Sequence, residues 1–152
     1  MENKKRIVLG ADHAGYLLKN ALADMLRSEG YEVADVGTNT PDSCDYPVFA
    51  EKACMKVIGG EADLVVLVCG TGIGMSLAAN KINGIRAACC SDIFSAKFTR
   101  AHNDSNVLCI GARVVGEGLA WELVKTFVET EFEGGKHARR VAMITDIENR
   151  QK

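Results

Sequence analysis

Residues 63–82 read DLVVLVCGTGIGMSLAANKI: an apolar run that ends in a cysteine, then a glycine-rich turn, then a helix-forming segment. The run 63–68 is apolar almost throughout, which is typical of a central strand in a parallel sheet that is covered on both faces. Helix-forming residues occupy 73–82, directly after the glycines. A strand, a short turn and a helix in this order predict an α/β fold built on a parallel sheet.

The same alternation of strand and helix continues on both sides of this stretch. Residues 14–29 place apolar side chains on one helical face and are followed by Gly30, a natural stop for a helix. We therefore predict a single domain over residues 1–152, an α/β/α sandwich of three layers with a five-stranded, parallel, Rossmann-like sheet. The further strands are predicted at 6–10, 31–36, 85–90 and 106–110, and the further helices at 47–58, 92–101, 117–130 and 134–150.

Composition narrows the class of protein. The 152 residues are 47% hydrophobic and 25% charged, as in an ordinary globular protein rather than a disordered one. No apolar run approaches the roughly 18 residues of a membrane span, and the start of the chain lacks the apolar core of a signal peptide. The net charge of −2 argues against a general nucleic-acid binder. We expect a cytoplasmic protein that binds neither membrane nor nucleic acid.

The six cysteines include no C-x-x-C pair, which excludes a zinc ribbon and a thioredoxin-type motif. Cys89, Cys90 and Cys109 lie in apolar runs, and we expect them to be small buried core residues. Cys69 differs because it follows the predicted central strand and precedes the glycine turn. A thiol at that position, beside a helix N-terminus, can react as a nucleophile or act as a base.

Polar and glycine-rich segments follow four of the predicted strands. Asp12 and His13 follow the first strand, a segment with Tyr46 follows the second, the turn 69–74 follows the third, and 111–113 follows the last. The carboxyl ends of parallel strands meet at one edge of a sheet, and ligands of such folds bind there. These segments are therefore predicted to line one ligand site.

The glycine turn 69–74 is suited to hold an anion. Amide groups at a helix N-terminus point outward unpaired, and glycines let a ligand approach the backbone closely. The turn is neither a Walker A motif nor a G-x-G-x-x-G fingerprint, so a nucleotide is not indicated. A tight turn that binds nothing would suit the same glycines, and it is Cys69 that favours a ligand. A base above an anion site fits proton abstraction next to a carbonyl, whereas no motif identifies a nucleophile.

The three histidines lie in polar clusters, where each could equally be an ordinary surface side chain. Their spacing matches no zinc-binding pattern, so no metal site is predicted. Lys136 and Arg140 lie four residues apart and would share one side of a helix, either as a clamp for a phosphate or as a solvated face. The histidines are His13, His102 and His137.

A set of short motifs runs nearly the length of the chain. They are GADHAG at 10–15, DYP at 45–47, CGTGIGMSLAANK at 69–81, GIRAA at 84–88, HNDSN at 102–106, IGARVVG at 110–116 and EGGKHARR at 133–140. With these motifs in this order, the chain resembles the ribose-5-phosphate isomerase B family, which also includes galactose-6-phosphate and allose-6-phosphate isomerases.

The resemblance implies an aldose–ketose isomerase that interconverts D-ribose 5-phosphate and D-ribulose 5-phosphate without a metal or a cofactor. Asp12 and His102 would help to open the furanose ring. Cys69 would move a proton from C2 to C1 through an enediolate, and Thr71 would assist proton movement between O1 and O2. The resemblance also implies substrate contacts from His13, Tyr46, Gly70, Gly72, Ile73, Gly74, Asn103, Arg113, Lys136, His137 and Arg140.

Members of the family share each site across a dimer, so the resemblance implies a homodimer or a dimer of dimers. His102, Asn103, Arg113 and the C-terminal cations would come from the partner subunit. The helical segment 134–150 would pack on the partner.

Two positions depart from some relatives. Lys136 replaces an arginine, and Met75 stands where other relatives use a glutamate base, which leaves Cys69 as the base in this stretch. The nearest alternative function is a hexose-phosphate isomerase of the same family, acting on allose 6-phosphate or galactose 6-phosphate. A non-catalytic flavodoxin-like binding module is a second alternative, although it would leave Asp12, His102 and Cys69 unexplained.

Overall fold

A five-stranded parallel sheet organises the chain, and the computed structural model describes residues 4–151. The predicted α/β/α sandwich is confirmed. The strands are β1 (Arg6–Ala11), β2 (Glu32–Asp35), β3 (Leu64–Cys69), β4 (Ala87–Cys89) and β5 (Val107–Gly111). The helices are α1 (Tyr16–Ser28), α2 (Tyr46–Ile58), α3 (Ile73–Ala79), α4 (Ile93–Asn103), α5 (Glu117–Glu129) and α6 (Lys136–Arg150).

The sheet has the strand order β2-β1-β3-β5-β4, and all neighbouring strands are parallel. The chain leaves β1 towards the edge strand β2 and then returns past β1 to form β3 on its other side. Helix α1 packs on one face of the sheet and α3 on the other, so the connections after β1 and β3 diverge. Such a divergence opens a crevice between the carboxyl ends of two strands, where ligands of open α/β sheets bind.

Two apolar layers, one on each face, hold the sheet between the helices. Leu22, Leu26 and Phe127 fill the layer beneath α1 and α5, and Ala53 and Met75 fill the layer beneath α2 and α3. All five are fully buried. Every position of β3 is buried as well, as its unbroken apolar sequence predicted. Among residues 4–151, no helix combines the length and the apolarity needed to cross a membrane.

Helix α3 and strand β4 are shorter than predicted. Helix α3 ends at Ala79 rather than at residue 82, and β4 is confined to Ala87–Cys89. The side-chain amide of Asn80 donates to the Ala87 carbonyl at 3.0 Å and accepts from the Ala87 N–H at 2.8 Å. This side chain satisfies the outer polar groups of the edge strand, and it does so because the helix stops where Asn80 can face β4.

The expectation that three cysteines are buried holds for two of them. Cys90 and Cys109 are buried, and removal from water raises the pKa of Cys90 to about 11 and that of Cys109 well above its usual value. The expectation is wrong for Cys89, which is exposed. Cys89 ends β4, which is the edge strand of the sheet, so its side chain is open to solvent.

Candidate active site

The thiol of Cys69 lies at the start of the glycine turn. Cys69 is the last residue of β3 and is only 4% exposed. The Gly72 amide donates a hydrogen bond to its Sγ at 3.1 Å, which fixes the position of the thiol. Gly72 has φ of +82°, a left-handed conformation that glycine adopts without strain. A Cβ at position 72 would also lie 2.9 Å from the Sγ of Cys89, so a larger residue does not fit.

Two amides of the turn bond to its own side chains. In addition to the Gly72 amide, the Ile73 amide donates to the Thr71 hydroxyl at 3.2 Å. The prediction that the amides of this turn point outward unpaired is therefore wrong for Gly72 and Ile73. These two bonds fix side chains of the turn instead, because the backbone that follows holds the thiol of Cys69 and the hydroxyl of Thr71.

The segment after β5 packs directly on the turn. The Arg113 amide donates to the Gly70 carbonyl at 3.0 Å, and a Cβ at Gly111 would lie 2.7 Å from the Thr71 backbone. The Arg113 side chain reaches back over the turn, with Nη1 3.6 Å from where a Gly70 Cβ would be. Arg113 therefore lies beside the glycine turn of its own chain. This corrects the expectation that Arg113 reaches the site from a partner subunit.

Asp12 and His13 directly follow β1, the strand that lies beside β3 in the sheet. Asp12 is buried, and its Oδ1 accepts hydrogen bonds from the amides of Ala14 and Gly15 at 3.0 and 3.2 Å. The Nδ1 of His13 accepts a hydrogen bond from the Cys44 amide at 3.2 Å. An amide N–H can only donate, so this bond assigns the ring proton to Nε2 and leaves that atom as a donor for a ligand.

Tyr46 joins the site from the start of α2. Its ring lies against the backbone of Gly74, since a Cβ at position 74 would come within 2.7 Å of the ring carbon Cζ. The missing side chain of Gly74 thus makes room for the tyrosine. The predicted residues at the carboxyl edge of the sheet are brought together, and we call them the carboxyl-edge group: Asp12, His13, Tyr46, Cys69, Gly70, Thr71, Gly72, Ile73, Gly74 and Arg113.

A second cluster joins the end of α4 to the start of α6. The rings of His102 and His137 are stacked with centroids 4.0 Å apart, and Phe98 packs 4.8 Å from His102. Glu133 Oε1 lies 3.6 Å from His102 Nε2 and 3.7 Å from His137 Nε2. Withdrawal from water and then the neighbouring His102 lower the pKa of His137, against the opposing effect of Glu133.

Helix α4 carries His102 away from Cys69. The helix begins at Ile93, soon after the carboxyl end of β4, and its 11 residues run about 16 Å back towards the amino edge, where β5 begins. Within one chain, Asp12 and His102 therefore lie at opposite edges of the sheet. The predicted residues at this second location form what we call the amino-edge group: His102, Asn103, Lys136, His137 and Arg140.

Two residues of these clusters escaped the sequence analysis. Cys44 positions His13 through its backbone amide, and its only sequence signal is its place next to the Asp45-Tyr46 pair. Glu133 lies between the two histidines, in the segment just before α6, and its only sequence signal is its place at the start of the EGGKHARR motif. His13 remains at the carboxyl edge, so the three histidines of the chain do not meet.

A ligand in the carboxyl-edge crevice would face a thiol, a carboxylate, an imidazole N–H and a guanidinium. The fold and the site therefore define an α/β protein with a crevice at the ends of its strands whose lining suits a small anionic ligand.

Comparison with known proteins identifies the family. Residues 7–144 match the Ribose/Galactose Isomerase family. The chain is 47% identical to ribose-5-phosphate isomerase B of Escherichia coli (strain K12), over 97% of this chain and 99% of that protein. It is 41% identical to D-erythrulose-4-phosphate isomerase of Pectobacterium atrosepticum, over 96% of this chain and 97% of that protein.

A solved structure agrees with this match. The structure of Clostridium thermocellum ribose-5-phosphate isomerase B is similar with a TM-score of 0.95 and 48% identity, covering 97% of this chain and 99% of that one. The chain belongs to the Ribose/Galactose Isomerase family, and the resemblance seen in its motifs is confirmed.

Proposed function

We propose that the protein is an aldose–ketose isomerase that interconverts D-ribose 5-phosphate and D-ribulose 5-phosphate. The observation that carries the proposal is the Cys69 thiol, fixed by the Gly72 amide at the end of β3 and flanked by Asp12 and Arg113 of the same edge. The ribose-5-phosphate isomerase B relatives support the choice of substrate.

The reaction moves one proton between carbons and one between oxygens. Asp12 and His102 open the furanose ring by exchanging protons with the ring oxygen and the O1 hydroxyl. Cys69 then removes the proton from C2, and the negative charge spreads over the enediolate, where turn amides and Asn103 stabilise it. Cys69 returns the proton to C1, while Thr71 helps to move the hydroxyl proton from O2 to O1.

The phosphate lies at the far end of the substrate from the reacting carbons. His13 Nε2–H and the Arg113 guanidinium bind it from the carboxyl-edge group. Lys136 and Arg140, with His137 beside them, bind it from the amino-edge group. Binding energy at this remote group positions C1 and C2 against the thiol, so it contributes to turnover as well as to affinity.

Each complete site is shared between two subunits of a homodimer, or of a dimer of dimers. The support is that the two groups lie at opposite edges of one chain, so a second chain is needed to bring them together. Three large apolar side chains that follow the carboxyl ends of strands are exposed, namely Ile73, Phe94 and Val114. The partner would cover these side chains and parts of α6.

Loss of the base tests the chemistry. Cys69→Ala is expected to lower kcat by about 10²–10⁴-fold, the usual contribution of a general base, while substrate still binds. A variant that kept more than a few per cent of the activity would exclude Cys69 as the base. Steady-state kcat/KM values for ribose 5-phosphate, allose 6-phosphate, galactose 6-phosphate and erythrulose 4-phosphate test the substrate.

The family description and the Pectobacterium relative favour hexose or tetrose phosphates as the second candidate substrates. A higher kcat/KM for one of these sugars than for ribose 5-phosphate would replace the pentose assignment. Absence of turnover on all four would favour a binding module without catalytic activity. A cytoplasmic location also belongs to this proposal, because free thiols such as the six of this chain persist in a reducing compartment.

Subunit mixing tests the shared site. Cys69→Ala and His102→Ala are each expected to be nearly inactive as homodimers. In a mixed dimer one site collects both changes and the other neither, so co-refolding at equal amounts restores about a quarter of the wild-type activity.

The matched control mixes Cys69→Ala with Arg113→Ala. Both changes fall in the carboxyl-edge group of one chain, so every site of a mixed dimer carries one lesion and no activity should return. Restoration in the control, or none in the first mixture although mixed dimers form, would overturn this division of the site.

A further inference from the structure

Three ligand atoms converge at the amino edge of the sheet. One ring nitrogen of His102, one of His137 and a carboxylate oxygen of Glu133 all lie within 4.8 Å of one another. Glu133 Oε1 lies between the two imidazoles, at 3.6 and 3.7 Å from their Nε2 atoms. Its own backbone amide donates to the Ala101 carbonyl at 3.0 Å, which ties the carboxylate to the end of α4. The three side chains thus come from segments that the fold holds together.

These atoms have the chemistry of an open zinc site, and a small movement of the side chains gives them its spacing. Zinc takes His nitrogen and Glu oxygen at 2.0–2.2 Å, so tetrahedral ligands lie roughly 3.3–3.5 Å apart. The two Glu133 contacts, at 3.6 and 3.7 Å, are close to this spacing, and the widest separation among the three ligand atoms, up to 4.8 Å, must close by about an ångström when zinc binds. The two imidazole planes are tilted by only 8°, so one ring must turn for both lone pairs to reach the ion. His102 is free to do so because its side chain is 38% exposed.

We propose that His102, Glu133 and His137 bind one zinc ion per chain and that bound zinc inhibits the enzyme. Two imidazoles and one carboxylate leave a fourth position for water. The inhibitory part rests on the proposed function, in which His102 exchanges protons with the sugar ring. Zinc occupies the lone pair of His102 that this exchange requires. Magnesium, which prefers six oxygen ligands, should neither bind here nor inhibit.

Isothermal titration calorimetry, with zinc added to the chelator-treated protein, tests the site. One zinc per chain should bind to the wild type. Glu133→Gln, which keeps the shape of the side chain, and His137→Ala should each weaken binding by at least about tenfold, since even a lost outer partner of a zinc ligand has an effect of that size. The two matched controls, His13→Ala and the exposed-thiol variant Cys89→Ser, should bind zinc as the wild type does.

The controls separate this site from other zinc ligands of the chain. Unchanged affinity in Glu133→Gln, or a loss of binding in Cys89→Ser, would overturn the assignment. Cobalt as a second probe should give no thiolate-to-cobalt charge-transfer band, and such a band would move the site to the cysteines.

Activity assays test the inhibition. Zinc should inhibit ribose 5-phosphate turnover by the wild type, and the same zinc concentration should inhibit Glu133→Gln at least about tenfold less effectively. Equal inhibition of both proteins would show that zinc acts elsewhere. The two proposals fail separately: zinc binding without turnover would remove the isomerase function alone, whereas turnover with unaltered zinc binding in Glu133→Gln would remove the zinc site alone.

Discussion

The lysine at position 19 is fully buried, and replacing it tests how the carboxyl-edge group is held in place. Its ammonium group donates to both carboxylate oxygens of Asp35, at 2.9 and 2.8 Å, to the Thr38 carbonyl at 2.9 Å and to the Asn39 side chain at 2.9 Å. Two of the four acceptor atoms belong to Asp35 at the end of β2, and the other two belong to Thr38 and Asn39 in the loop that follows. Lys19 thereby anchors the segment that leads from β2 to Cys44 and Tyr46.

Lys19→Met keeps most of the side-chain volume but removes the charge. It leaves the Asp35 carboxylate, which is 20% exposed, without its cation. Breaking a buried ion pair from one side costs about 3–5 kcal/mol, and residual contact of Asp35 with water lowers the expected loss to about 2–4 kcal/mol. The free energy of unfolding should fall by this amount, because an uncompensated carboxylate is more costly than a missing hydrogen bond.

Urea unfolding at equal protomer concentration measures the effect. The matched control is Lys56→Met, which breaks an ion pair with Glu61 whose side chains are 38% and 64% exposed, and which should cost less than about 1 kcal/mol. Adding Asp35→Leu to Lys19→Met should recover part of the loss, since the unpaired charge is removed. A loss in Lys19→Met no larger than that in Lys56→Met would refute this account of the buried cation.

Three further predictions concern the site and the core. Gly74→Ala should displace the Tyr46 ring and lower kcat/KM several-fold with little change in melting temperature, because the clash is with a side chain. Alkylation of the native protein at pH 8 should spare Cys54 and Cys90, as burial raises the pKa of these thiols to about 12 and about 11; mass spectrometry locates the label. The pKa of His137 is lowered by folding, so the unfolded chain binds its proton first as the pH falls below 6.5. Stability should therefore decline in that window, and less so in His137→Gln when urea midpoints are compared; an equal decline would contradict the assignment.

Local sequence patterns predicted the fold. The errors of that prediction occur where residues distant in sequence determine the structure. The apolar run 63–68 and the helices around it predicted a parallel sheet, because burial on both faces leaves that pattern in any central strand. The length of α3 depended on Asn80, whose amide pairs with Ala87 across a turn. The exposure of Cys89 depended on the order of the strands, since β5 inserts between β3 and β4. No local sequence pattern predicts that β5 lies between β3 and β4.

The carboxyl-edge group could be predicted for the same reason as the sheet. Residues directly after parallel strands must gather at one edge, so Asp12, Cys69 and Arg113 were placed together by position alone. The contact between His102 and Glu133 could not be predicted in this way, because about thirty residues and all of α5 separate them in the sequence. The hydrogen bond from the Glu133 amide to the Ala101 carbonyl, together with the packing of α6 on α4, brings these two side chains into contact range.

The same rule explains why the expected assignment of site residues to subunits needed one correction. A residue that follows a strand stays at the carboxyl edge of its own chain, and Arg113 follows β5 by two positions. A residue at the end of the helix that follows a strand lies at the amino edge, as His102 does at the end of α4. The resemblance assigned both to the partner, yet the path of the chain allows this for His102 alone. In the proposed homodimer, the direction of each connecting segment thus determines which side chains a second subunit would have to supply.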